Sequence, residues 1–156
     1  MSVSVGQPAP DFTLFDSTKN TVHLHDYKGK KVVLLFFPLA FTSTCTKELC
    51  YVRDHIALFN NINAQVLGIS VDSLYILVKF KEEQGLNFPL LSDFNKEVSS
   101  LYGALYSEFN FNMKGVSKRA SFVIDGEGIV RYAAVQEVAG DLPDFEAIQA
   151  TLSAIN

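Results

Sequence analysis

The segment from Val32 to Phe37, Val-Val-Leu-Leu-Phe-Phe, constrains the fold more than any other part of this chain. It has no polar position, and Pro38 closes it. A strand shows alternate residues to opposite faces, so this uninterrupted apolar run within Lys31–Phe37 predicts a central strand buried on both sides. Such a strand needs cover on each face, which predicts layered α/β architecture around a sheet.

The rest of the pattern agrees with that frame. Gly6 to Asp11 is a Pro-rich lead-in, and Phe12–Leu14 and Thr21–Leu24 read as short strands joined by a turn at Ser17–Asn20. A helix is expected from about Ser43 to Phe59, with an apolar stripe of Cys45, Leu49, Val52, Ile56 and Phe59. Thr42 or Ser43 can cap it. Gln65–Val71 is a second strand and Ser73–Gln84 a helix stopped by Gly85. Phe88–Leu91 is short and extended. Asp93–Tyr102 is a helix before Gly103, and 104–118 reads as a loop. Ala120–Ile124 and Ile129–Ala134 are strands joined by Asp125-Gly126-Glu127-Gly128, and Asp144–Ala154 is a last helix. No repeat or linker divides the chain, so residues 1–156 are expected to form a single domain. A mixed central sheet is the expected arrangement, with a right-handed crossover between the strands near residues 35 and 68.

Composition excludes several functions. With 13 basic and 17 acidic residues the net charge is −4, which gives no general attraction to nucleic acid or anionic lipid. No apolar run approaches the length of a membrane span, and no charged-then-apolar leader opens the sequence, so a cytoplasmic protein is expected. Two cysteines in 156 residues do not make a structural disulfide framework.

The chemistry concentrates at Pro38-Leu39-Ala40-Phe41-Thr42-Ser43-Thr44-Cys45-Thr46-Lys47-Glu48. Cys45 falls in the first turn of a helix that follows the buried strand. Free N–H groups and the positive end of the helix dipole gather there, and both favour a thiolate. An unperturbed thiol with pKa about 8.5 is only about 3% ionised at pH 7. Moving such a group to about 6 requires about 3.4 kcal/mol, whereas a helix end supplies at most about 2 kcal/mol. A reactive Cys45 therefore calls for a nearby cation. On position alone, a buried apolar filler is an equally good reading of Cys45.

Pro38-x-x-x-Thr42-x-x-Cys45, with Glu48 three residues on, resembles the active-site signature of the peroxiredoxins, the alkyl hydroperoxide reductase and thiol-specific antioxidant family. The likeness covers nearly the whole chain. Gly6-Gln7-Pro8-Ala9-Pro10-Asp11-Phe12, Phe88-Pro89-Leu90-Leu91-Ser92-Asp93 and Arg119-Ala120-Ser121-Phe122-Val123-Ile124-Asp125 each resemble family segments. Phe37 to Thr42 is similar to the alkyl hydroperoxide reductase E branch, and the spacing of Cys45 and Cys50 to the bacterioferritin comigratory protein branch.

The resemblance implies a thioredoxin-like fold of peroxiredoxin type, with helices on both faces of a mixed sheet. It also implies reduction of hydrogen peroxide and organic hydroperoxides through a sulfenic acid at Cys45. Arg119 would be the cation, Thr42 would offer its hydroxyl to the sulfur and a peroxide oxygen, and Pro38 would shield the site. The N–H groups of Thr44 and Cys45 would complete the pocket, and Glu48 would orient Arg119. No metal, haem, flavin or other cofactor is implied. The implied reductant is a thioredoxin-like or glutaredoxin-like protein or a small thiol, and a homodimer is the family expectation.

Cys50 is the candidate resolving thiol, with an external thiol as the alternative. Five residues along a helix place it about 140° from Cys45, with Cα atoms roughly 8–9 Å apart. A disulfide needs about 4.4–6.8 Å, so an intact helix forbids the bridge and its first turns must unwind. A thiol-disulfide oxidoreductase would want a second cysteine where Thr42 stands. A peroxide sensor using Cys45 as a switch would differ by slow oxidation. His23 and His25 share a strand face without a third metal ligand. His55 lies ten residues from Cys45 on one helix and cannot act as its base. Phe109, Phe111 and Met113 lie in the irregular segment, where local packing is the plainer reading and a substrate pocket or a partner subunit the alternatives.

Overall fold

The computed structural model describes residues 3–155. Its strands are β1 (Thr13–Asp16), β2 (Thr21–His23), β3 (Lys31–Phe36), β4 (Ala64–Ser70), β5 (Leu90–Ser92), β6 (Ala120–Ile124) and β7 (Val130–Val135). They form one mixed sheet in the order β2-β1-β5-β4-β3-β6-β7. β3 pairs in parallel with β4 and antiparallel with β6. The apolar run is thus a central strand.

Alternation along β3 divides its side chains between two cores. Val33 and Leu35, with Phe37 just beyond the strand, pack with Cys45, Leu49, Val52, Phe59, Leu77, Phe80, Ile148 and Leu152. These come from α1 (Ser43–Asp54), α2 (Ile56–Asn60), α3 (Leu74–Gln84) and α5 (Phe145–Ala154). Val32, Leu34 and Phe36 face the other core, with Phe12, Leu24, Val98 and Tyr102. There the cover is α4 (Glu97–Leu101) and the amino-terminal segments. Helices therefore lie on both faces, as the strand required.

Several boundaries differ from expectation, each for a local reason. The helix expected over 43–59 breaks at His55 (φ −117°, ψ 19°), whose ring Nδ1 donates to the Tyr51 carbonyl at 2.8 Å. The helix expected over 93–102 shrinks to Glu97–Leu101. Lys96 adopts a left-handed φ of 66°, and the buried Asp93 carboxylate caps the N–H groups of Val98 and Ser99 at 3.1 and 2.6 Å. Leu24–Tyr27 is a 3-10 turn rather than strand, so His25 leaves the strand that carries His23. Segment 104–118 carries bridges Leu105–Ser117 and Phe109–Met113 and a 3-10 turn at Asn110–Asn112. The caps of α3 follow the sequence: Ser73 accepts from Ile76 N–H, and Gly85 closes the helix at φ 60°.

Sheet register positions the site. Phe36 lies opposite Ala120, so the chain leaving β3 toward Pro38 runs beside the residue that enters β6, which is Arg119. Residues 74 positions apart in sequence meet at one end of the sheet.

Candidate active site

Cys45 sits in the first turn of α1 and is 1% exposed. Thr46 N–H makes the first helical bond, to Thr42 O at 2.9 Å. The N–H groups of Ser43, Thr44 and Cys45 precede it and have no partner within the helix. Glu48 follows one turn later, so its carboxyl shares a face with the thiol.

Arg119 joins the two. Its Nη1 and Nη2 donate to Cys45 Sγ at 3.4 and 3.5 Å, and Nη1 also donates to Glu48 Oε1 at 2.5 Å. Nε and Nη2 donate to the carbonyl of Ala139 at 3.2 and 2.9 Å. The guanidinium fork is held on three sides, which suits Arg and not Lys. Arg119 is 2% exposed and Glu48 fully buried. Burial works against the guanidinium charge, but the Glu48 carboxylate and the Cys45 sulfur outweigh it and raise its pKa. The carboxyl fares differently. Burial pushes Glu48 up to about 7 despite Arg119, and its Oε2 has no hydrogen-bond partner among the described residues. A deep carboxyl with one unsatisfied oxygen loses more solvation than a single cation returns.

A cavity of about 310 Å³ opens over the sulfur. Pro38, Thr42, Ser43, Thr44 and Arg119 line it on one side. Phe109, Phe111 and Met113 line it on another, with Phe111 94% exposed at the tip of its turn. These are the aromatic and Met side chains of the segment expected to be a loop.

Two expectations change. Thr42 stands at the N-cap but its side chain caps nothing. Its Oγ1 donates to Leu39 O at 2.7 Å, because the left-handed Phe41 (φ 67°) turns the chain back on itself. The single hydroxyl proton is thereby committed, and Oγ1 keeps only acceptor capacity toward a ligand. Cys50 is absent from the apolar stripe read from the sequence, yet it packs half-buried against the same core, with Sγ 3.5 Å from Gln84 Oε1. Both cysteines are free.

The Ala139 carbonyl escaped sequence reasoning. A backbone oxygen carries no residue signature, and no spacing rule links position 139 to 119. Asp72, which holds the loop before α1 through Ala40 N–H, was missed for a similar reason.

Other groupings stay apart. His23 bonds Thr13 Oγ1 and His25 bonds Asp11 Oδ2, each at 2.7 Å, with their rings stacked 4.9 Å apart. Among the described residues no group of three or more His, Cys, Asp or Glu side chains could hold a metal ion. A second cavity, of about 220 Å³, lies near the start of β3 between His25, Tyr27, Lys28 and Asp125, and contains no thiol.

A buried sulfur held by an arginine fork at the mouth of a cavity, on a sheet of this topology, marks the class of thiol-dependent peroxidases. Comparison with known proteins agrees. The family model described as the AhpC/TSA family matches residues 5–133. Alkyl hydroperoxide reductase E of Mycobacterium bovis is 42% identical over 138 residues, covering 86% of this chain and 87% of that protein. Peroxiredoxin-2 of Bos taurus is 39% identical, covering 95% of this chain and 75% of that one. The crystal structure of peroxidoxin BcpB from Mycobacterium tuberculosis superposes with a TM-score of 0.87 at 33% identity, over 99% of both chains. The chain belongs to the AhpC/TSA family of peroxiredoxins, with their thioredoxin-like fold, and is a thiol-dependent peroxidase. Its substrate class is a peroxide and its reductant a thiol. No helix among the described residues is long and apolar enough to cross a membrane.

Proposed function

We propose that Cys45 is the peroxidatic nucleophile of a single thioredoxin-like domain spanning residues 1–156, with Arg119 as its electrostatic partner. The observation that carries this is the pair of bonds from Arg119 to Cys45 Sγ. A guanidinium so placed favours negative charge on the sulfur and on the oxygen that departs. The thiolate attacks one peroxide oxygen, an S–O bond forms and the O–O bond breaks. The products are a sulfenic acid and an alkoxide or hydroxide, which takes a proton to leave as alcohol or water.

The surrounding residues have separable tasks. Glu48 and the Ala139 carbonyl orient the guanidinium. The N–H groups of Thr44 and Cys45 and the acceptor oxygen of Thr42 bind the peroxide. Pro38, buried beside the sulfur, limits water access.

Cys50 is the resolving thiol in this reading. It attacks the sulfenic sulfur, a disulfide forms and water leaves. α1 must unwind first, because both thiols lie on it five residues apart. A thioredoxin-like, glutaredoxin-like or small-molecule thiol then reduces the disulfide. Two free cysteines suit a reducing, cytoplasmic compartment, and membership of the family is what supports a homodimer as the working unit. The contact of Cys50 with Gln84 favours a second reading, in which an external thiol reduces Cys45 directly. Mass spectrometry after one equivalent of peroxide decides between them. A Cys45–Cys50 disulfide in the wild type and a persistent sulfenic acid in Cys50→Ser are expected. No disulfide, with Cys50→Ser turning over normally with a dithiol, overturns the resolving role.

A further inference from the structure

We infer that Asp72, outside the cavity and nowhere bonded to the sulfur, is a positioning residue that sets the peroxide-binding loop through the backbone of Ala40. This rests on the reading of Cys45 given above. Asp72 lies just past the end of β4, and its Oδ2 accepts from Ala40 N–H at 2.8 Å and from Ser70 Oγ at 2.6 Å. Asp72 is itself fixed. Its N–H donates to Ser70 Oγ at 3.2 Å and its carbonyl accepts from Ser92 Oγ at 2.6 Å. Ser70 is fully buried, and its carbonyl accepts from Asp93 N–H at 2.7 Å. The carboxylate thus stands at the carboxyl ends of the parallel strands β4 and β5, inside the sheet rather than at its edge.

The loop it grips needs gripping. Residues 37–42 connect β3 to α1, and Pro38, Leu39 and Thr42 line the cavity over the sulfur. Phe41 occupies the left-handed region at φ 67°, a conformation a bulky L-residue resists. Its ring is 47% exposed and leans on Phe80 at 5.1 Å, so packing alone does not trap the turn. Two hydrogen bonds close it: Thr42 Oγ1 to Leu39 O, and Ala40 N–H to Asp72. The second is charge-assisted and tied to the sheet, so it determines where the loop stands relative to Cys45. Displacing a group that orients substrate by about 1 Å can cost about a hundredfold in rate.

The role separates from simple destabilisation because it touches peroxide binding and leaves the arginine fork alone. The test compares two reactions of Cys45 in prereduced protein at one pH: oxidation by hydrogen peroxide, and alkylation by iodoacetamide followed on the Cys45 peptide. Asp72→Ala is expected to slow oxidation about ten- to a hundredfold while alkylation changes less than about threefold. Asp72→Asn, which keeps an oxygen for Ala40 N–H, is expected within about threefold of wild type in both. Should Asp72→Ala not fold, Ser70→Ala frees the carboxylate to turn and is expected to slow oxidation alone, by about two- to tenfold. Oxidation at the wild-type rate in Asp72→Ala, or in Ser70→Ala where that variant stands in, overturns the inference. So does an equal fall in both reactions. Slow oxidation of the wild type itself would instead overturn the peroxidatic reading of Cys45.

Discussion

Replacing Arg119 isolates the electrostatics of the site. Arg119→Met keeps most of the buried stem and removes the fork. Two donors to Cys45 Sγ disappear, at 3.4 and 3.5 Å. Hydrogen bonds to charged groups contribute about 1.5–3 kcal/mol each, and these long sulfur contacts belong at the low end, giving about 3 kcal/mol together. That stays below the attraction of about 4 kcal/mol between unit charges 4 Å apart at an effective dielectric near 20. It corresponds to a loss of roughly 150-fold, within the range of about 10² to 10³ for removing one oxyanion donor. The substitution also leaves the Glu48 carboxyl buried without its cation, so stability falls unless that group takes a proton. Pairing it with Glu48→Gln removes the stranded charge and separates folding from rate. The chain has no tryptophan, so the reaction is followed by competition with a haem peroxidase for limiting peroxide. Folded Arg119→Met/Glu48→Gln protein that consumes peroxide within about fivefold of wild type would refute the electrostatic account.

Glu48 makes a pH prediction with a definite sign. Its carboxyl is raised from 4.5 to about 7 in the folded state. The folded protein therefore holds a proton that the unfolded chain releases, and stability falls as pH rises from about 4.5 through about 7, by about 3 kcal/mol. In a Cys45→Ser background, urea midpoints at pH 5 and pH 8 should converge when Glu48→Gln is added; an unchanged difference would refute the assignment. Gly68 predicts a packing effect in β4: an added Cβ would lie 2.8 Å from Leu90 Cδ2, with Phe37 and Phe88 at 3.5 and 3.6 Å. Leu90 is fully buried, so Gly68→Ala should cost about 1–3 kcal/mol in denaturant unfolding, and wild-type stability would refute the packing argument.

What could be read from the chain follows from locality. The strand over Lys31–Phe37 was legible because burial on both faces leaves Val32–Phe37 without a polar residue, and Ala120–Ile124 because a glycine turn bounds it. α3 announced itself through Ser73 and Gly85 at its ends. Thr42, Cys45, Glu48 and Arg119 were legible as a motif, and the first three share one loop and helix end.

Tertiary structure decided what depends on groups distant in sequence or chemically anonymous. Arg119 reaches Cys45 only because β3 and β6 pair Phe36 with Ala120. The Ala139 carbonyl and the Ala40 N–H are groups nearly every residue possesses, so no pattern could reveal their partners. Asp93 shortened its helix by capping from five and six residues away, and the hydroxyl of Thr42 turned to Leu39 because Phe41 is left-handed. The sequence by itself determined which groups could do chemistry, since side-chain type and near-neighbour spacing are written in it. Where each donor points was decided by the register of paired strands and by backbone bonds that carry no residue identity.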